Sequence, residues 1–234
     1  KPVNLTEQTR ELYDKMGAAG SADTSAESTG NGSLSEAEQA GIAQMEGVLS
    51  KETLDSKVRT WKELGLTDYT LSSCSYSIDT EDGTVYGHLR YTQKAENNLK
   101  HRYITVNAKT GEIEDVFSSY WTDEAFKGTV SLSTALKTAE SFLSRLWPDQ
   151  YKTCALYEST TASTEDGSTE HDFVFCQKVN GYFFPANSIA VSVDARDGSI
   201  TYLSRNFDEL PTFDNADGLI SSEAAHTFWT VSYT

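Results

Sequence analysis

The four histidines are the residues whose chemistry could most readily serve catalysis or metal binding. They stand at His88, His101, His171 and His226, and no two of them have the spacing of a zinc motif. The sequence also has no G-x-S-x-G nucleophile motif, no phosphate-binding P-loop and no G-x-G-x-x-G dinucleotide motif. We therefore predict no catalytic residue, no metal site and no cofactor, and we interpret the histidines on strands as exposed side chains.

The segment 214–223, DNADGLISSE, is the strongest candidate for a metal site because it resembles part of a calcium-binding loop. Such a loop needs a glycine at its sixth position and oxygen-bearing acidic side chains at its first and twelfth positions. With Gly218 at the sixth position, those two positions hold Phe213 and Ala224, so both anchors are missing. A turn in which Ser221 caps the next helix explains the same residues without a metal.

The three cysteines are an odd number and cannot all pair within the chain. Cys154 and Cys176 lie on either side of a turn sequence at 164–167, TEDG, so a hairpin built on that turn would place them nearly opposite each other. Opposite strand residues can form a disulfide, although a regular ladder does not always give the required geometry. The alternative is that both are reduced and half-buried, as we expect for Cys74.

Three consecutive aromatic residues, Tyr182, Phe183 and Phe184, follow the turn sequence Asn180-Gly181. Alternate residues of a strand point to opposite faces, so at least one ring must point inward. Packing of these rings on the core is the favoured interpretation. The alternative is an exposed patch that serves as a partner surface.

The chain is strongly acidic, since 19 Lys and Arg residues against 35 Asp and Glu residues give a formal net charge of −16. Such a surface repels phosphate backbones and anionic lipid headgroups, so we predict no nucleic-acid partner. No apolar run reaches the roughly 18–20 residues that a membrane-spanning helix needs. With 38% hydrophobic residues, the 234-residue chain can form a substantial core in one or two domains.

The hydrophobic period predicts the elements that would position these residues. Residues 1–32 are predicted to form an N-terminal helix and a low-complexity linker, and a capping box at 33–36, SLSE, begins the next helix. Further helices are predicted at 55–64 and 132–146. Strands are predicted at 71–78, 85–93, 102–107, 112–120, 153–159, 171–177, 188–193 and 199–206.

Two strand–turn–strand segments repeat along the chain, VNAKTGEI at 106–113 and VDARDGSI at 193–200. We interpret the glycine in each as a turn residue rather than part of a ligand loop. The repetition predicts an α+β fold of two tandem repeats, each a helix packed on a roughly four-stranded antiparallel sheet. The repeats are assigned to 33–125 and 126–217, and 218–234 is predicted to begin a further helix, the start of a truncated third repeat.

At these segments the sequence resembles the YcdB/YcdC repeat family, which is related in style to PepSY domains. The resemblance is strongest over 179–203, VNGYFFPANSIAVSVDARDGSITYL, and continues through ISSEAA at 220–225. The first copy keeps 106–113 but has ENNL at 96–99 where the second copy has NGYFFP. The resemblance implies an exported protein of a Gram-positive bacterium. PepSY-like domains are associated with protease propeptides and with envelope regulation, so the resemblance also implies a role of that kind. It supplies no catalytic residues.

The expected function is therefore that of a non-catalytic module, exported to the cell envelope, that binds a protein or peptide such as a protease and inhibits or regulates it. A chain that begins at Lys1 is typical of one processed behind a signal or lipoprotein leader, which indicates an extracellular or envelope location. An extended partner segment could bind along an edge strand. Two alternatives remain open, namely a hydrolase whose site lies between the repeats and a structural spacer.

Overall fold

A computed structural model describes residue 41, residues 43–95, 98–119, 128–163 and 169–207, and residue 213. The predicted elements at 1–32, 33–36 and 214–223 lie outside these residues. The described elements are, in chain order, α1 (Lys51–Val58), a 3₁₀ turn (Lys62–Leu64), β1 (Thr70–Ile78), β2 (Val85–Ala95), β3 (Asn98–Asn107), β4 (Ile113–Ser119), α2 (Leu132–Leu146), α3 (Pro148–Tyr151), β5 (Cys154–Thr160), β6 (Glu170–Val179), β7 (Tyr182–Asp194) and β8 (Ile200–Asn206).

Helices α1 and α2 begin in the same way. The Ser50 hydroxyl accepts a hydrogen bond from the backbone N–H of Thr53, and the Ser131 hydroxyl accepts one from Thr134, both at 3.2 Å. These bonds satisfy N–H groups that have no partner inside the helix. Helix α2 ends before Pro148, which cannot continue the hydrogen-bond pattern.

The strands form one antiparallel sheet of eight strands in the order β1-β2-β3-β4-β8-β7-β6-β5. Each half of the order is a meander of neighbouring strands. The two meanders join where β4 pairs with β8, through Val116 opposite Leu203 and Phe117 opposite Tyr202. Strands β1 and β5 are therefore the two edges of the sheet in the described part of the chain.

The predicted α+β fold of two helix-on-sheet repeats is wrong, because the described residues form mostly a single eight-stranded sheet with few helices. The period-2 pattern identified the strands correctly, but it carries no information on whether the last strands of two meanders pair with each other. Helix α1 is also shorter than predicted, at eight residues. The domain boundaries proposed at 33–125 and 126–217 stay a prediction.

A single hydrophobic core lies on one face of the sheet and contains residues from both meanders. Helix α2 buries Ala135, Ala139, Phe142 and Leu143 against it. The Trp61 ring, which precedes β1 in the chain, meets the Phe142 ring edge-on with centroids 5.2 Å apart. The first meander and the helix that precedes the second meander therefore share one packed interior.

The two repeated segments form equivalent turns. Gly111 and Gly198 adopt positive φ angles of 76° and 75°, which glycine tolerates without strain. Their N–H groups donate to the carbonyl oxygens of Asn107 at 2.7 Å and of Asp194 at 2.8 Å. The Oδ1 atoms of Asn107 and Asp194 accept hydrogen bonds from turn N–H groups. The interpretation of both glycines as turn residues is confirmed.

The join between the meanders has a local symmetry. Strands β4 and β8 each have seven residues and each follows one of the two equivalent turns. Val116 is the fourth residue of β4 and Leu203 is the fourth residue of β8, so each is paired with its own counterpart. A local twofold axis therefore passes through this pair, and both side chains are fully buried.

Candidate binding site on the sheet

The helices cover one face of the sheet, and the other face carries a patch that we call the open face. Within the described residues it comprises Ser73, Ser75, Ser77, His88, Arg90, His101, Tyr103, Thr105, Asp115, Phe117, Ser119, Tyr202 and Ser204. Hydroxyl-bearing and aromatic side chains dominate this patch, and it includes no aliphatic side chain. A surface of this composition is suited to binding rather than to core packing.

Three aromatic side chains, which we call the aromatic row, lie side by side across the centre of the open face. Tyr103 is opposite Phe117, and Phe117 is opposite Tyr202. Their exposed fractions are 37%, 49% and 37%. The rings of Tyr103 and Phe117 have centroids 6.1 Å apart and planes inclined by only 33°. This row could not be predicted from the sequence, because the three residues are far apart in the chain and meet only through the register.

Arg90 extends the aromatic row by one strand. It is opposite Tyr103, with its guanidinium carbon 5.7 Å from the Tyr103 ring centroid, and its Nη2 atom lies 3.3 Å from Nε2 of His101. Burial, and next the nearby Arg90 charge, lower the pKa of His101. No carboxylate forms an ion pair with Arg90 within the described residues, in contrast to Arg59, Arg145, Arg196 and Arg205. Arg90 therefore presents an unneutralised positive charge.

Strands β1, β2 and β3 contain no Asp or Glu residue at all. They carry Arg90, Lys94, Lys100 and Arg102, although the whole chain has 35 acidic residues against 19 basic ones. This part of the sheet is therefore locally basic on a strongly acidic protein. The sequence alone could have revealed this composition, but the net charge of the chain hides it.

A second polar group on the open face centres on His88. The Ser77 hydroxyl lies 2.7 Å from Nε2 of His88, and Nδ1 of His88 lies 3.4 Å from the Thr105 hydroxyl. Burial lowers the pKa of His88 and raises the pKa of neighbouring Asp115. A serine beside a neutral histidine resembles a nucleophile and its base. Backbone N–H groups of a sheet lie in its plane, however, so they cannot form an oxyanion hole above this face.

Strand β1 offers a different binding feature, its outer edge. In the described part of the chain it pairs only with β2, and its nine residues include no charged residue and no proline. A bulge between Leu71 and Ser73 disturbs only the beginning of the strand. The other edge strand, β5, carries Glu158 beside a bulge in the middle of the strand. Of the two edges, β1 is therefore the less protected.

The predicted partner surface, Tyr182, Phe183 and Phe184, lies at the hairpin between β6 and β7. Tyr182 is 60% exposed and Phe183 is 37% exposed, so these two rings do not pack in the core. Phe183 instead meets Tyr157 of β5 edge-on, with centroids 5.1 Å apart. Phe184 makes a similar contact with the Phe213 ring. A role in partner binding stays a prediction for this surface.

The predicted disulfide also concerns this end of the sheet. Cys154 is opposite Gln177 and Cys176 is opposite Ala155, and both cysteines have free thiols. Because paired residues share a face and neighbours alternate, the two sulfur atoms belong to opposite faces. The register does not favour the disulfide, which stays a prediction. Cys74 is half-buried with a free thiol, and burial raises its pKa.

A cleft of about 430 Å³ lies between α1 and the start of β1. Its polar walls are already engaged, because Arg59 donates to Asp55 and to the carbonyl oxygens of Leu66 and Tyr69. No cluster of potential metal ligands occurs within the described ranges. Among the helices described, none is long and apolar enough to cross a membrane.

Comparison with known proteins places this architecture in a family. The family model of the YcdB, YcdC repeated domain matches residues 55–206, which include every strand of the sheet. The chain belongs to this family. The resemblance inferred from the two VxAxxGxI segments is thereby confirmed. No curated protein matches the chain.

A solved structure has the same overall fold. The Bacillus megaterium YpeB C-terminal domain superimposes with a TM-score of 0.55, and the match covers 77% of this chain and 74% of that one. The two sequences are 20% identical over the match. At this level of identity the likeness concerns the fold alone.

Proposed function

We propose that this protein is a non-catalytic interaction module, exported to the cell envelope, that binds an extended segment of a partner protein along β1. Membership of the YcdB, YcdC repeated-domain family is consistent with an envelope or regulatory module. The edge of β1 is the observation that carries the proposal. The location outside the cytoplasm rests on the implications of the family resemblance.

The β1 edge has what a peptide needs in order to add to a sheet. Natural edge strands are commonly blocked by lysine, by proline or by a bulge in the strand. From Ser73 to Ile78 β1 has none of these, so its outward N–H and C=O groups stand in a regular array. Main-chain hydrogen bonds to such an array supply affinity for an extended segment of almost any sequence.

The side chains of β1 define which segment would fit best. Ser73, Ser75 and Ser77 are exposed on the open face, whereas Cys74 and Tyr76 are half-buried beside the core. A bound strand would extend both surfaces. We therefore expect a partner segment that alternates polar residues above the serines with apolar residues beside Tyr76.

Selection from a phage-displayed library of random peptides about 12 residues long, with the full chain as bait, tests the proposal. Affinities of the selected peptides are then measured by fluorescence anisotropy for the wild type, for S73K/S75K and for S159K. We expect the β1 double variant to lose at least tenfold in affinity, because lysines protect an edge against strand addition. S159K places the same side chain on the other edge strand and should bind as the wild type does.

Hydrogen exchange gives a second readout that does not depend on the variants. Peptide binding should slow amide exchange within Thr70–Ile78 and leave β5 unchanged. Three results would refute the edge as the site. These are a selection that enriches no peptide with alternating polar and apolar residues, an affinity of S73K/S75K equal to that of the wild type, and slowed amide exchange only outside β1. Inhibition assays against serine, cysteine and metalloproteases then test whether the bound partner segment belongs to a protease.

A further inference from the structure

We propose that the open face holds a second binding site, which takes an acidic saccharide. In this site the aromatic row of Tyr103, Phe117 and Tyr202 stacks on sugar rings, and Arg90 binds a carboxylate of the same chain. The site is separate from the β1 edge and does not depend on the peptide-binding proposal.

The geometry of the aromatic row fits stacking on a linear ligand. Its three residues occupy directly opposite positions on adjacent strands, so the row is roughly 10 Å long at the usual strand spacing. The weakly positive C–H groups on the flat side of a sugar ring lie favourably against the negative face of an aromatic ring. The small angle between the Tyr103 and Phe117 rings lets both present their faces in a similar direction.

The polar groups around the row suit a ligand rich in hydroxyl groups. Thr105 and Ser119 flank the row on β3 and β4, and Ser204 follows Tyr202 on the same face of β8. Their hydroxyl groups can both donate and accept hydrogen bonds, as sugar hydroxyl groups do. The three rings are 37–49% exposed on a flat sheet face, whereas a hot spot for a protein partner lies in a desolvated pocket.

Charge complementarity indicates that the saccharide is acidic. Arg90 carries an unneutralised positive charge at one end of the row, and Lys94 is exposed further along the same strand. Continuing the line of the row beyond Tyr202, the next residue is Ser192 on β7 and the one after it is Asp172 on β6. It lies five strand spacings from Arg90, or roughly 24 Å, which is well beyond the Debye length of about 8 Å at physiological salt. Asp115, also on the open face, is nearer, but it lies beside Thr105 and His88 rather than in line with the row, roughly 12 Å from Arg90 at the usual strand spacing and rise. Arg90 is therefore the charged group at its end of the row.

The sparse positive charge favours a saccharide over a nucleic acid. A nucleic acid carries a phosphate on every nucleotide, and its affinity comes from several neutralised phosphates. Among the described residues near the row, Arg90 on the open face and Lys94 further along β2 are the exposed permanent cations, and the chain as a whole has a net charge of −16. A saccharide with one carboxylate per sugar and neutral stacking surfaces between carboxylates matches this pattern more closely.

Isothermal titration calorimetry of the full chain with a linear galacturonic acid tetramer, its methyl ester and a single-stranded oligonucleotide tests the proposal. We expect the wild type to bind the acidic tetramer more tightly than the ester. The F117A/Y202A variant should lose at least tenfold in affinity, and F117L should lose much of the same affinity because leucine lacks a flat ring. F117W should retain binding, and R90Q should bind the acid and the ester equally.

The Y157A and Y182A variants remove exposed rings elsewhere and serve as controls that should bind as the wild type does. Circular dichroism and thermal melting confirm the fold of every variant. F117A/Y202A should keep peptide binding, and the saccharide should slow amide exchange on β3, β4 and β8 without protecting Thr70–Ile78, so each proposal can fail without the other. The saccharide proposal is overturned if the wild type binds neither saccharide, if F117A/Y202A binds as tightly as the wild type, or if the oligonucleotide binds more tightly than the tetramer.

Discussion

Arg102 on β3 donates a hydrogen bond from Nη2 to the hydroxyl of Ser199, 97 positions further along the chain, at 3.3 Å. Its Nε atom donates to the Ser118 hydroxyl on β4 at 3.0 Å, and its guanidinium lies over the Tyr69 ring. Arg102 is only 4% exposed. A single buried side chain therefore connects the first meander to the turn between β7 and β8.

Replacement of Arg102 by lysine should destabilise the protein by about 2–3 kcal/mol, because one ammonium group cannot bond both hydroxyl groups and stack on Tyr69. The free energy of unfolding is measured by urea denaturation. Arg90→Lys provides the control, since Arg90 is exposed and its replacement should change stability by less than about 0.5 kcal/mol. Equal stabilities of the two variants would contradict the bridging role of Arg102.

Gly65→Ala should be more harmful than Gly181→Ala. Both glycines have positive φ angles, 58° and 88°, so both substitutions carry a backbone cost of about 1–2 kcal/mol. An added Cβ at Gly65 would also lie 2.8 Å from Cβ of Ser199, whereas one at Gly181 would meet nothing within 4 Å. We expect a further loss of roughly 1 kcal/mol or more for Gly65→Ala in thermal and urea denaturation. Similar losses for both variants would mean that the Gly65 contact with Ser199 relaxes without cost.

The stability of the protein should depend on His88 between pH 7.5 and pH 5.5. Burial lowers the pKa of His88 below its ordinary value of about 6.5, so the unfolded chain binds this proton more readily than the folded one. The contribution of His88 is fully present above about pH 6.5 and is lost as the pH falls through the folded pKa. The neighbouring Asp115 has the opposite effect on the free energy of unfolding at lower pH. Burial raises its pKa, so the folded chain binds this proton more readily than the unfolded one.

Urea denaturation of the wild type and H88Q at pH 7.5 and pH 5.5 measures this dependence. The wild type should lose more of its free energy of unfolding than H88Q does on going to pH 5.5. An NMR titration should also place the His88 pKa below that of a histidine in an unstructured peptide. A steeper loss of stability in H88Q than in the wild type would show that the sign is wrong.

The two meanders should unfold together. Strands β4 and β8 pair directly, and one core contains residues of both meanders, so neither can unfold without exposing the other. A variant that keeps only Trp61 and a variant that keeps only Trp147 report on separate parts of this core by fluorescence. Their transitions in urea should each coincide with the loss of circular dichroism. A second transition in either variant would indicate independent halves.

The strands and turns could be predicted from the sequence because their signals are local. Alternation in period two marks each strand, and the glycines at 111 and 198 mark positions where φ is positive. The pairing of Val116 with Leu203 has no such signal, because any buried strand with an apolar centre could lie beside β4. For that reason the eight strands were predicted, although β3 and β7 begin earlier than expected, while the fold of two separate repeats was wrong.

The hairpin aromatic residues and the aromatic row also differ in how far the sequence predicts them. The exposure of Tyr182 could be anticipated as an alternative, since the aromatic residues follow a turn sequence. The aromatic row could not, because Tyr103, Phe117 and Tyr202 become neighbours only once three strands have a register. The absence of acidic residues from β1, β2 and β3 was visible in the sequence, and the strand boundaries give it meaning.

The pairing of Val116 with its own counterpart Leu203 has the geometry of an isologous contact, in which two identical subunits of a homodimer use the same surface. A gene duplication that fused two such subunits would keep this interface within one chain. It would also free the copies to diverge, since mutations in one would no longer appear in the other. The basic strands of the first copy, and Glu158, Glu170 and Asp172 at the matching end of the second, are what such divergence produces.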